Sequence, residues 1–232
     1  VLCAIQNDSA RYRNYYRMII FLIPAISMPL VGFLIVFADN VILLMLGEQW
    51  YGAVVVFQVL AAVGFIQSAT QAGRGLPLMS CGFSRRYFNF GVLQSIVTVL
   101  GIVIGLRWGI IGVAAGYGIA FCLLIPFTFD WCLKGSPVST RDWFRAIYSP
   151  AIASFIMIPI IILVKGFILQ DDANVLAFSI CEHLRVLLLG GIVGITIYSI
   201  VLLAIPTGRK SVFDTLKQFR SFVSNHKAAI IS

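Results

Sequence analysis

Three polar side chains inside one long apolar stretch, Gln67, Gln71 and Arg74, fall at i, i+4 and i+7 and so share one helical face. Gln58, Ser68 and Thr70 add to the polarity of the same stretch. Amides on such a face either bond to a neighbouring helix or line a watery cavity, and both readings stand for Gln67 and Gln71. Other candidate chemistry is thin. His183 and His226 have no ligand partners at metal spacing, so no metal or other cofactor is expected. Asp171-Asp172 is an adjacent acidic pair in a loop, where solvated loop chemistry explains it. The run Gly112-Val-Ala-Ala-Gly116-Tyr-Gly118 imitates a dinucleotide loop, but no strand precedes it and the run is apolar throughout. An enzyme is therefore not expected.

The elements that hold these residues follow from composition. Of 232 residues, 60% are hydrophobic and only 11% charged, and mean hydropathy is +0.97. A soluble domain carries about 25% charged residues, so an ordinary cytosolic enzyme, a disordered chain and a disulfide scaffold are excluded. What is left is an all-α polytopic bundle of transmembrane helices. The net charge of +8 imitates a nucleic-acid binder. The basic residues fall between apolar spans, however, which is the pattern of cytoplasmic loops, so nucleic acid is not an expected partner.

A bilayer core needs about 20 apolar residues per helix. Six charge-free windows satisfy this, at 18–38, 49–73, 87–106, 108–129, 146–164 and 186–208. Fourteen of the 17 Lys and Arg residues lie on one side of the resulting topology, leaving Arg107, Lys165 and Arg185 on the other. Both termini are expected in the cytoplasm. Trp50 and Trp108 then mark the outer interface, Trp131 and Trp143 the inner one. The windows contain no ionisable Asp, Glu, Lys, Arg or His, which argues against an ion path coupled to a buried carboxylate. Asp39 and Asp130, at span ends, read as interfacial caps. Cys181 is alone on the outer side, so no disulfide is expected.

Three features shape the spans. Pro24 and Pro29 should bend the first, and Pro150 and Pro159 interrupt the fifth. Gly91, Gln94, Thr98, Gly101 and Gly105 form a small or polar stripe. Gly109, Gly112, Gly116 and Ala120 form another, so the third and fourth spans should make a tight antiparallel hairpin. The tail places Val212, Phe213, Leu216, Phe219 and Val223 at helical spacing, with Ser211 as N-cap, which predicts an amphipathic helix on anionic lipid. The organisation expected is a basic cytoplasmic lead-in (1–17), a six-span bundle (18–208) and a cytoplasmic amphipathic tail (209–232).

Several stretches resemble the Wzx-type polysaccharide and O-antigen exporters. Phe21-Leu-Ile-Pro24 and the run from Ala38 to Gly47-Glu-Gln-Trp50 resemble their proline-containing helix and the apolar run ending in Gly-x-x-Trp. Gly75 to Arg86, with Gly82-Phe-Ser-Arg85-Arg86, resembles the Gly-Arg segment after a polar helix, and Gly109-Ile-Ile-Gly112 the glycine-rich helix. That family belongs to the multidrug/oligosaccharidyl-lipid/polysaccharide superfamily of two-lobed transporters. The resemblance implies most of a C-terminal lobe, and hence a missing N-terminal lobe as partner. Since Val1 opens the sequence, the chain reads as the C-terminal part of a longer protein or a truncated copy of one. The implied function is flipping of an undecaprenyl-diphosphate-linked oligosaccharide, a lipopolysaccharide precursor, across the bacterial inner membrane. Gln67 and Gln71 would then line the cavity, and Arg74, Arg85 and Arg86 would attract the diphosphate. The alternative for the three Arg is topology and contact with anionic membrane lipids. A multidrug or metabolite exporter of the same superfamily, and a non-transporting remnant or scaffold, remain as alternatives for the whole.

Overall fold

A computed structural model describes residues 9–133, 138–168, 180–215 and 217. The described residues are helical and contain no strand. In order they form α1 (Ser9–Val36), α2 (Ala38–Leu46), a 3-10 turn at Glu48–Ala53, α3 (Val54–Ser80), α4 (Ser84–Gly105), α5 (Gly109–Leu133), α6 (Thr140–Ile168), α7 (Ile180–Ala204) and α8 (206–215).

Five continuous stretches are long and apolar enough to cross a bilayer. One of them, Ser84–Thr128, runs to 45 residues and doubles back as α4 and α5, so the six expected spans and the five stretches are the same helices. The chain is a multi-pass membrane protein. The proline-bearing spans are continuous helices: α1 runs through Pro24 and Pro29, and α6 through Pro150 and Pro159.

Main contacts place the helices in the order α4, α5, α3, α1, α6, α7 across the bundle. Hydrogen bonds fix their directions. Arg17 meets Asp142 near the starts of α1 and α6, and Val36 meets Lys165 near their ends, so this pair runs parallel. Tyr16 meets Gly73, and Gln58 meets Ile35, so α3 runs antiparallel to α1.

The α4–α5 hairpin follows from its glycines. Gly101 lies against Gly116 and Gly105 against Gly112, backbone on backbone, and a Cβ at any of the four would overlap the facing carbonyl. In lipid no hydrophobic force drives helices together, so close packing of small residues supplies the attraction. Gly109, at φ +72°, makes the turn that allows the reversal. Only Phe90 and Gly105 of α4 are buried, which leaves this helix largely facing lipid.

The largest core cluster joins α1, α3, α6 and α7, with Tyr12, Tyr16, Ile20 and Phe37 fully buried. α7 contributes one stripe, His183, Val186, Gly190, Gly194, Tyr198 and Leu202. Trp143 belongs to this core and not to the interfacial belt expected of it. It is 6% exposed, and its indole Nε1–H donates to the Ala69 carbonyl at 3.0 Å. An indole buried among helices needs such an acceptor.

Two boundaries differ from expectation. α1 starts at Ser9, so residues 9–17 are its first turns and carry the buried Tyr12 and Tyr16. α8 starts at Pro206 after a bend at Ile205, ahead of the expected Ser211 cap, because a proline suits the first helical position. Leu216, Phe219 and Val223 of the expected amphipathic tail lie outside the described residues.

Gly73 faces the Trp143 ring so closely that a Cβ would overlap it, while nothing lies within 4 Å of a Cβ on Gly75. Gly73→Ala should therefore destabilise the protein by about 1–3 kcal/mol. Gly75→Ala should be neutral or slightly stabilising. Denaturant unfolding in mixed micelles distinguishes the two, and equal effects would remove Gly73 from the packing account.

Candidate functional site

The polar face of α3 is divided among several partners. Gln67, half-buried, donates its amide N–H to the Tyr117 hydroxyl on α5. Gln58 donates to the Ile35 carbonyl of α1 at 3.2 Å. The buried Thr70 hydroxyl returns to the Ile66 carbonyl of its own helix at 3.1 Å. Gln71 is exposed, with Arg74 Nη2 at 3.5 Å from its side-chain oxygen, the outer limit of a hydrogen bond. Helix–helix bonding thus accounts for Gln67, while Gln71 stays open to its surroundings.

Arg74, Arg85 and Arg86 gather at one end of the bundle, around the turn between α3 and α4. Gly82, at φ +76°, turns the chain there. The Arg74 guanidinium sits 4.9 Å over the Phe90 ring, and that of Arg86 4.9 Å over the Phe83 ring. Stacking fixes a guanidinium plane and leaves its donors directed along that plane. Arg85 and Arg86 occupy the first turn of α4, where no acidic residue is present. Cations there oppose the helix macrodipole, so helix stability does not explain their position.

Sequence reasoning missed the lacing that holds α3 to α1 and α6. Tyr16 donates its hydroxyl to the Gly73 carbonyl at 2.8 Å, and Tyr12 shares a hydrogen bond with Ser80. Arg17 donates through Nε at 3.1 Å, and also through Nη2, to Asp142 Oδ1, with Arg13 Nε 4.0 Å from Oδ2. Asp142 Oδ2 also accepts from Ser139 N at 3.1 Å and from its hydroxyl at 3.2 Å. This is a capping box, in which a residue of the first turn reaches back to the cap. The pattern Ser139-Thr-Arg-Asp142 was its signal in the sequence.

A second cluster closes the opposite end of α1 and α6. Lys165 Nζ donates to both Asp39 oxygens, at 2.6 and 2.7 Å, and to the Val36 carbonyl at 2.8 Å. Asp39 is thus half of an ion pair, and in the first turn of α2 it also accepts from Asn40 N at 2.9 Å. Beside it, Asn40 Nδ2 lies 3.2 Å from His183 Nδ1, both residues being buried. The spacing of 126 residues between Asp39 and Lys165 left no local trace in the sequence. Asp171 and Asp172 lie outside the described residues. Among the described residues, no group of His, Cys, Asp and Glu could hold a metal ion.

Residues 1–55 match the family described as polysaccharide biosynthesis protein. Over 115 residues the chain is 31% identical to the lipopolysaccharide biosynthesis protein WzxC of Escherichia coli (strain K12). The chain is similar to a Wzx-type protein. The match covers 49% of this chain and 23% of WzxC, so the chain spans less than a quarter of that relative's length. No solved structure matches it. The Wzx-like stretches around Pro24 and from Ala38 to Trp50 fall within the matched residues 1–55, which take in α1, α2, the whole of the following turn and the first two residues of α3. The same residues carry Arg17 and Asp39, the α1 and α2 members of both clusters.

Removing one partner of a poorly exposed ion pair leaves the other charge stranded. Side-chain exposure is 16% for Lys165 and 19% for Asp39. Lys165→Met should cost about 2 kcal/mol, and adding Asp39→Asn should recover most of that loss. A double-mutant cycle by thermal unfolding measures the coupling, and additive effects would show that the pair contributes nothing.

Proposed function

We propose that this chain is part of a membrane transporter that moves an oligosaccharide, carried on undecaprenyl diphosphate, across the bacterial inner membrane by alternating access. The observation that carries this reading is the similarity to WzxC in a chain built of membrane-length helices. The physics supports it. A glycan head joined to a diphosphate cannot enter hydrocarbon unaided, so it needs a polar path that opens first to one side and then to the other. A second helical bundle facing this one completes that path.

In this proposal Gln71 offers its amide to glycan hydroxyls, and Gln67 sets the wall by holding α3 to α5. Arg74, Arg85 and Arg86 draw the diphosphate to the cytoplasmic mouth. Two of these guanidinium groups rest over aromatic rings, which lowers the cost of ordering them around an anion. Both termini lie in the cytoplasm, where most of the basic residues collect.

Deleting the gene in a strain without a redundant exporter should raise lipid-diphosphate-linked oligosaccharide, measured by mass spectrometry, and abolish surface polymer. Unchanged levels of both would favour a drug exporter or a remnant. Replacing Arg74, Arg85 and Arg86 together by Ala should lower export about tenfold or more, at unchanged membrane insertion. Normal export by that variant would remove the three arginines from the entrance.

A further inference from the structure

A cavity of about 780 Å³ lies between the first turns of α1, the first turns of α6 and the tail helix α8. No residue of α3, of α4 or of the turn between them lines it, so it is separate from the arginines of that turn. Its charged lining is Arg17, Arg145, Lys210 and Lys217 against a single carboxylate, Asp214. Arg17 is already committed to Asp142, which fixes its guanidinium at the rim. Arg145, Lys210 and Lys217 form no ion pair among the described residues. Cations drawn together without a counter-charge repel one another, and an anion in their midst relieves that repulsion. Hydroxyls of Thr207, Ser211 and Thr215 lie in the same lining and supply further donors.

The surroundings of the cavity are those of a lipid. Phe144 and Tyr148 flank Arg145 on the exposed face of α6, and Phe213 projects from α8, each more than half exposed. Met18 and Phe21 contribute apolar lining. The three exposed rings lie outside the lining itself, which is apolar at Met18 and Phe21; a soluble anion needs no such apolar lining, whereas the acyl chains of a lipid do. α8 is also held in place: Val212 packs on the main core, and a Cβ on Gly208 would come within 3.2 Å of Ser149 Cβ. The cations of α8 are thereby presented to those of α1 and α6.

We infer that this cavity binds the phosphate of an anionic membrane lipid, with Arg17, Arg145, Lys210 and Lys217 around the headgroup. Its acyl chains leave the cavity past Met18 and Phe21 and run along the exposed apolar surface of the helices. The bound lipid bridges α1, α6 and α8 and so fastens the tail helix to the bundle. This lipid is a resident of the protein and not its cargo, so the test below does not depend on transport.

The purified chain in neutral detergent is titrated with phosphatidylglycerol, with phosphatidylcholine, or with inorganic phosphate. Retained lipid is counted by native mass spectrometry and thermal unfolding is followed in parallel. Phosphatidylglycerol should be retained and should raise Tm. The pair Arg145→Gln with Lys210→Gln should weaken its apparent affinity about tenfold or more, and Lys210→Gln alone, at an exposed position, about threefold or more. Arg141→Gln with Arg209→Gln removes the same charge from exposed positions at the same end but outside the cavity, and should change affinity less than about twofold. Equal weakening by both pairs would overturn the site in favour of diffuse attraction. A Tm rise with inorganic phosphate alone matching that with the lipid would overturn the lipid assignment, as would equal retention of phosphatidylcholine.

Discussion

The bundle depends on one close approach. At Gly73 of α3 there is no side chain, and into that space comes the indole of Trp143 from α6, while the phenol of Tyr16 from α1 reaches the backbone of the same residue. The phenol takes the Gly73 carbonyl and the indole takes that of Ala69, one turn away. Both carbonyls lie within α3, and a carbonyl oxygen has a second lone pair to offer. In a membrane every polar hydrogen lacking a protein partner costs several kcal/mol, because no water can replace it. Two aromatic donors are therefore satisfied on a helix backbone, and three helices are fixed at one point.

From that point the ends of α1 and α6 are pinned by charge. Arg17 with Asp142 closes the end where both helices start, and Lys165 with Asp39 closes the end where they finish. Lys165 also caps the last turn of α1 through the Val36 carbonyl, where the chain breaks before α2. A parallel pair held at both ends behaves as one body. The α4–α5 hairpin is assembled on a different principle, backbone against backbone through glycines, and touches the rest chiefly through α3. Within one chain, packing by small residues and packing by buried polar bonds thus serve different halves of the bundle.

The basic residues divide in the same way. Arg74 and Arg86 sit over aromatic rings beside the hairpin, while Arg145, Lys210 and Lys217 line a cavity between α1, α6 and α8. An excess of positive charge follows from the topology of any such chain. What distinguishes these groups is that one set sits over aromatic rings and the other gathers around a cavity, which a topological signal alone does not require.

The sequence by itself determined the class and the spans. Six charge-free windows gave six membrane-length helices, because backbone groups in lipid must be satisfied within each segment. The glycine stripes gave the hairpin, since their spacing is local and their chemistry is simply the absence of a side chain. The capping box at Ser139–Asp142 left a local signal too, its two members being three residues apart, but the sequence reading passed over it. Only the tertiary structure decided which polar residues meet. Trp143 reads as a belt residue by its place near a span end, yet α6 turns it inward onto α3. Gln67 reads equally as wall or as bond until Tyr117 is set opposite it. Asp39 finds Lys165, and Arg17 finds Asp142, only when helices far apart in the chain are brought side by side. Composition records what each helix can offer; the crossing of helices selects the partner, because a hydrogen bond or ion pair forms only within about 3 Å of the right atom.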